Sequence, residues 1–419
     1  MPHNTATVLP TPKVNLEAFG VSKNGFLPEE LPLQRLSDPY YEVWERIIRE
    51  LPTLLKTKSF RGKVDKLEVL STLRLTSMRE WQRAYLVLAF FTHSYIWESG
   101  GPSEHLPAAI SVPFLDVSSH LQLPPTATYA ALNLWNFTSI SSGVSISKIE
   151  NLRTLHTFTG TRDEEWFFLI SVAIEAHGAA IIPVMLKAMD AAQLNKPEIV
   201  INALIKFSKC VGEVGVILKR MNEGCDPDVF YNQIRPFLAG SKNMVLAGLP
   251  NGVFYEEGEG KGKWRQYSGG SNAQSSLIQF FDVALGVEHS LTGAAKGSKP
   301  GFLQEMRNYM PGPHREFLQH VESTSNIREY ADKCLDAGVG EAYNAAIVEL
   351  SRFRDIHIQI VTRYIITPSK QQVPPSTAGM NLAIASANGE TKDLHGTGGT
   401  QLLPFLKQSR DETKNTALN

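Results

Sequence analysis

The sequence predicts a mainly α fold, with a large all-helical domain beneath a smaller, mostly helical N-terminal one. Three observations predict it. Apolar residues recur at three- and four-residue spacing through most of the 419 positions, strands and helices do not alternate as a doubly wound sheet or barrel requires, and the glycine-rich segment Ser241 to Tyr267 holds just one strand-like piece, Val253-Phe254-Tyr255.

The elements follow in order. The arm containing Pro10, Pro12, Pro28 and Pro32 reads as irregular, and Tyr41 to Leu55 and Met78 to Ile96 then show helical periodicity. Leu123-Pro124-Pro125 breaks the chain before an apolar helix from Ala127 to Asn136. The run Ser139 to Ser145 is the best domain junction, because short hydroxyl side chains and glycine favour loops, so the expected domains are 1–145 and 146–419. Beyond it, Glu164 to Ala192 is helical with a kink expected at Pro183, Pro197 to Met221 carries proline in its first turn, and Pro227 to Leu238 follows. A glycine-rich segment, Ser241 to Tyr267, interrupts the helices. They resume at Ala273 to Glu288, Gly301 to Met310, His314 to Glu322, Ile327 to Cys334 and Gly340 to Ile366. The stretch 371–400 is rich in Pro, Gly, Ser and Thr and is expected to be mobile, with Thr400 capping a last helix to Asp411. There is no internal repeat.

Composition narrows the class of function. With 42% apolar and 20% charged residues the chain is globular, and a formal charge of -1 without any basic run gives no general attraction to nucleic acid or an anionic membrane. Cys210, Cys225 and Cys334 are too few and scattered for a disulfide framework or a paired zinc site. The N-terminus lacks the pattern of a signal peptide, and no apolar run reads as membrane-spanning. A cytoplasmic protein is the expectation.

Three constellations carry possible chemistry. On the helix Gly340 to Ile366, the positions Tyr343, Ala346, Leu350, Phe353, His357, Ile360 and Tyr364 share one face, so His357 replaces an apolar residue there. A core histidine held by a hydrogen bond is the commoner outcome for such a position, and the helix alone does not establish a ligand. The segment Ser268-Gly269-Gly270-Ser271-Asn272-Ala273-Gln274-Ser275-Ser276 precedes an apolar run containing Asp282. Its glycines permit close backbone approach, and its hydroxyls at a helix start suit an anion or a plain N-cap equally. It falls one glycine short of a hydrolase elbow, and no strand is expected before it. The third group is aromatic: Tyr129, Trp166-Phe167-Phe168 with Ser171, and Phe230-Tyr231 with Arg235. Core packing is the usual fate of such rings, but a guanidinium among them needs a carboxylate from protein or ligand. Gly258 to Lys263 reads as a solvated hairpin or loop, and the other ten histidines show no metal-ligand spacing.

Taken together, Gly269-Gly270-Ser271, Gln274-Ser275-Ser276, Phe281-Asp282-Val283, Met306 to Pro311, His314-Arg315, Asp336-Ala337-Gly338, Glu341-Ala342-Tyr343, His357 to Thr362 and Gly396 to Thr400 resemble the indoleamine 2,3-dioxygenase family, in order from about Tyr41 to Leu406. The closest likeness is to longer, fungal-type members. The resemblance implies a haem b, ferrous when active, with His357 as proximal axial ligand. It pairs Arg354 with Asp282 on that side and sets Arg354 and Ser271 at the propionates. It implies that Tyr129, Phe167, Ser171, Phe230, Tyr231, Arg235, Leu238 and Asn272 line the substrate pocket, with Arg235 on the carboxylate and Thr397 closing the site. The implied reaction inserts O2 across the indole C2=C3 bond of L-tryptophan to give N-formylkynurenine, in the kynurenine route towards NAD. The implied partners are L-tryptophan, O2 and an external reductant, the expected state is a monomer, and no residue is implied as acid or base. Leu132, Asn133, Tyr231 and Asn272 depart from better-known members, which carry Cys, an aliphatic residue, a second Phe and Ala there. His177 lacks a family counterpart and reads as core or cavity edge. The alternative is a non-catalytic O2-binding or haem-sensing protein on the same scaffold; a hydrolase built on Ser271 is remote.

Overall fold

A computed structural model describes residues 14–290, 301–370, 396–397 and 402–418. The mainly α expectation holds, with few and short strands. The Thr400 cap and most of the segment 371–400 lie outside the described residues. Gly396 and Thr397 do not.

In the N-terminal part, helices Glu42–Lys56 and Met78–Trp97 match the periodic segments, and a reciprocal Ser77/Glu80 capping box starts the second. A further helix, Ala108–His120, is not legible from periodicity, because it is apolar on most sides and carries Pro113 in its interior. The expected helix Ala127 to Asn136 shrinks to one wide turn, Ala130–Leu134. Its first backbone groups are claimed elsewhere: Ala127 N–H donates to His93 Nε2 at 3.0 Å and Tyr129 N–H to Gln274 Oε1 at 2.9 Å. The serine-rich stretch 139–145 lies in the connection between two paired strands, Phe137–Ser139 and Leu152–Thr154.

The later part is built on packed helices. Arg162–Gly178 and Ile181–Gln193 replace the single kinked helix, and the break falls two residues before Pro183. Proline thereby occupies the first turn of the second helix, where its missing N–H costs nothing. The run Arg162–Gln193 is long and apolar enough to cross a membrane, contrary to expectation. Two-thirds of its most apolar window is buried within the protein, as in a core helix. Pro197–Lys219 packs along the longest helix, Ala337–Val361, which Asp336 caps and a wide turn, Thr362–Ile366, continues. The C-terminal helix Leu402–Lys414 lies against the same long helix.

The glycine-rich segment forms a hairpin, Val253–Gly258 with Lys261–Arg265, joined by a short parallel strand, His105–Leu106. A strand therefore does precede Ser268, against expectation, but Ser271 heads only a three-residue turn, Asn272–Gln274. Just before it the chain makes a tight crossing. A Cβ on Gly269 would stand 2.0 Å from the Leu238 carbonyl oxygen, and one on Gly240 would stand 2.2 Å from that of Tyr267. No side chain fits at either position.

Candidate functional site

One large cavity gathers most of the singled-out residues. Its lining includes Tyr129, Leu132 and Asn133, Phe167 and Ser171 of helix Arg162–Gly178, Phe230, Arg235 and Leu238, Ser271 and Asn272, Arg354 and His357 of the long helix, and Thr397. Leu402, Phe405, Leu406 and Ser409 of the C-terminal helix join them.

Among the described residues His357 makes no hydrogen bond, although it faces the cavity from a buried helix face. Buried imidazoles elsewhere vary: His93 bonds the Phe237 carbonyl at 2.7 Å and Thr126 Oγ1 at 2.9 Å, whereas His156 Nε2 has no hydrogen-bond partner among the described residues. Burial, helped by the nearby Arg354 charge, pulls the His357 pKa down to about 4, so at neutral pH the ring carries a lone pair rather than a second proton. Neutral imidazole is the form that ligates a metal.

One turn earlier, Arg354 pairs with Asp282 and donates to Ser409 Oγ at 2.7 Å. Its Nε is buried without a hydrogen-bond partner among the described residues. Burial alone would raise the Asp282 carboxyl; Arg354 and His289 outweigh it and hold the pKa at about 2. His289 Nε2 lies 3.2 Å from Asp282, and its Nδ1 lies 2.9 Å from Glu412 on the C-terminal helix. The Ser271 hydroxyl accepts from Ala273 N–H at 3.3 Å, as the plain N-cap reading has it. That bond uses a lone pair and leaves its proton available to an anion.

Across the cavity, Phe167 and Phe230 pack with centroids 4.9 Å apart, and Phe230 meets Tyr364 edge-on at 5.7 Å. Arg235 is buried, with its guanidinium 5.7 Å from the Tyr231 ring centroid, and burial pulls its pKa down to about 10. A cation held at such a cost is suited to a carboxylate. Thr397 Oγ1 donates to the Gly270 carbonyl at 2.7 Å, and Gly269 N–H returns a bond to the Thr397 carbonyl at 3.0 Å.

Three placements differ from expectation. Tyr231 is buried but does not line the cavity, because it faces Arg235 from the side. Asn272 lines the cavity yet remains exposed, so it stands at the rim rather than deep in the pocket. His177 is neither core nor cavity edge: it is half-exposed and bonded to Glu213 at 2.8 Å. Asp282 acts from behind Arg354 and is not itself part of the lining. The sequence reading missed His289, Ser409, Glu412 and Glu175. Only Glu175 left a signal, as an acidic residue four positions after Ser171 inside an otherwise apolar run.

The helical fold thus surrounds an apolar cavity with a neutral imidazole on one wall and a buried guanidinium on another. The chain belongs to the indoleamine 2,3-dioxygenase family: the family description Indoleamine 2,3-dioxygenase matches residues 15–416. It is 43% identical to indoleamine 2,3-dioxygenase nanC of Aspergillus nanangensis, over 96% of this chain and 97% of that one. It is 42% identical to indoleamine 2,3-dioxygenase of Saccharomyces cerevisiae, over 96% and 93%. It is 40% identical to 6-hydroxytryptophan 2,3-dioxygenase fscD of Fusarium equiseti, over 95% and 96%. The chain is thus a dioxygenase of a haem-dependent family whose members act on tryptophan-like substrates.

Proposed function

We propose that this dioxygenase converts L-tryptophan and O2 to N-formylkynurenine, with haem b held through His357. The observation that carries the reading is His357 itself: a neutral imidazole that faces the cavity and makes no hydrogen bond among the described residues. The surrounding donors fit the group. Arg354 Nε and the Ser271 hydroxyl each have a proton to give an anion, which suits two carboxylate arms. When bound, ferrous haem supplies the centre at which O2 is activated.

The chain's own residues supply the rest. Arg235 takes the substrate carboxylate, Phe167, Phe230 and Leu238 hold the indole and exclude water, and Thr397 is fastened to the Gly270 carbonyl at the cavity wall. Asp282 keeps Arg354 in place. Both oxygen atoms of O2 would enter the product, so the overall reaction would consume no external reductant. Residues 1–145 contribute Tyr129, Leu132 and Asn133 as a cover, and 146–419 carry the remaining walls. This division fits a smaller unit closing over a larger one.

The test is steady-state assay of the haem-loaded, reduced protein with L-tryptophan, and with 6-hydroxytryptophan in parallel. The expected result is the absorbance of N-formylkynurenine from L-tryptophan. Absence of turnover with stably ferrous haem overturns the reading, and turnover of the hydroxylated substrate alone redirects it.

A further inference from the structure

The walls of the cavity are not all held in the same way. Helix Arg162–Gly178, the long helix that carries His357 and the turn that begins at Tyr129 all give side chains to one continuous apolar core, so none of them moves without breaking it. The C-terminal helix, Leu402–Lys414, is attached differently. Its buried Leu402 and Leu406 form a small separate cluster with Val361 and Ile366, and Phe405 packs on Phe302 with ring centroids 4.8 Å apart. Its large apolar residues all lie in its first half, and from Lys407 to Lys414 the sequence has none. Yet Leu402, Phe405, Leu406 and Ser409 line the cavity. A helix of 13 residues is marginal in water without support from the rest of the fold, so the contacts of its polar half decide whether it stays down.

Those contacts converge from one buried carboxylate. Asp282 pairs with Arg354, which donates to Ser409 Oγ at 2.7 Å. Asp282 also stands 3.2 Å from His289 Nε2, and His289 Nδ1 meets Glu412 at 2.9 Å. Glu412 accepts in addition from Ser290 N–H at 3.0 Å and from the Ser290 hydroxyl. Beyond this clasp, Arg410 pairs with Asp355 at 3.2 Å, where solvent reaches both groups and weakens the pair, and Asn344 exchanges two bonds with Leu418 at 2.8 and 3.1 Å. Glu412 and His289 are largely sheltered from solvent, so theirs is the strongest polar tie on the helix. An element with a small apolar cluster at one end and polar ties at the other is the wall that opens at least cost.

We propose that the C-terminal helix is a strap over the cofactor side of the cavity, and that the clasp of Glu412 on His289 and Ser290 sets how long haem is retained. The proposal rests on haem being held through His357. Opening the strap removes the wall formed by Leu402, Phe405 and Leu406 and takes Ser409 away from Arg354, whose Nε faces no partner among the described residues and is offered to a cofactor carboxylate. Wall and carboxylate partner are loosened in one movement.

The experiment follows transfer of haem from the ferric holoprotein to excess apomyoglobin by absorbance, together with hydrogen exchange along the chain by mass spectrometry. Glu412→Ala is expected to release haem faster by on the order of tenfold or more, the scale for a hydrogen bond to a charged group, with faster exchange confined to the C-terminal helix. Glu412→Gln keeps an acceptor for Ser290 and loses the charge facing His289. It gives an intermediate rate, and it carries the test if the alanine variant does not fold. Haem loss at the unaltered rate in either variant overturns the strap. Faster loss accompanied by faster exchange throughout the chain also overturns it, because that is general destabilisation rather than local opening. An unaltered protein that takes up no haem is a different result, and it removes the His357 reading along with this one; a haem-loaded protein indifferent to Glu412 removes the strap alone.

Discussion

At the residue scale, His357 and Arg235 divide the labour of the site and can be separated by experiment. His357→Ala is expected to yield folded protein with little or no haem, read from the ratio of haem to protein absorbance after purification. Retained haem with full activity would assign the ligand elsewhere. Arg235→Ala should leave haem content unchanged and raise KM for L-tryptophan about 30-fold or more, the scale for removing one partner of a buried charge pair. An unchanged KM would reject the carboxylate role. Both residues were legible as anomalies, an imidazole on an apolar face and a guanidinium among aromatic rings. Glu175 and His289 were not singled out, because their partners Tyr129, Ser275, Asp282 and Glu412 come from distant parts of the chain. Sequence spacing carries no trace of such pairings.

At the element scale, the Asp282–Arg354 pair joins helix Ser276–Leu285 to the long helix, while Ser409 and Glu412 bring in the C-terminal helix through Arg354 and His289. Asp282→Asn leaves the buried Arg354 without its carboxylate, while His289 keeps Glu412. It should lower unfolding free energy by on the order of 3 kcal/mol, measured by urea denaturation. A loss within error would mean that solvent already screens the pair. Helices with a clear apolar stripe, such as Glu42–Lys56 and Ala337–Val361, were read within a few residues from spacing alone. Ala108–His120 was not, because an element apolar on most sides has no stripe to detect, and Ala127 to Asn136 was overread because its backbone partners lie in other elements.

At the scale of the whole molecule, stability against pH is set by opposed buried groups. Burial holds His93 and His314 near a pKa of about 4, so between about 4 and 6.5 the unfolded chain binds more protons and stability rises with pH. Burial holds Glu164 and Glu175 at about 7, so from about 4.5 to 7 the folded chain binds more protons and stability falls with pH. Glu164→Gln removes one falling contribution. The gain in unfolding free energy from pH 5 to pH 7 should then exceed that of the unaltered protein by about 1–3 kcal/mol, read by denaturant titration at the two pH values. An equal or smaller gain would show that Glu164 titrates normally. The Gly240–Gly269 crossing bears on a different property, the capacity of the enzyme to change. Where backbone meets backbone, no mutation can trim or fill the gap, so the spacing between the Arg235–Leu238 wall and the Gly270–Ser271 wall is closed to evolutionary drift. New substrate preferences must arise where side chains form the boundary, at Leu132, Asn133 and Asn272, and these are the positions at which directed evolution has room to work.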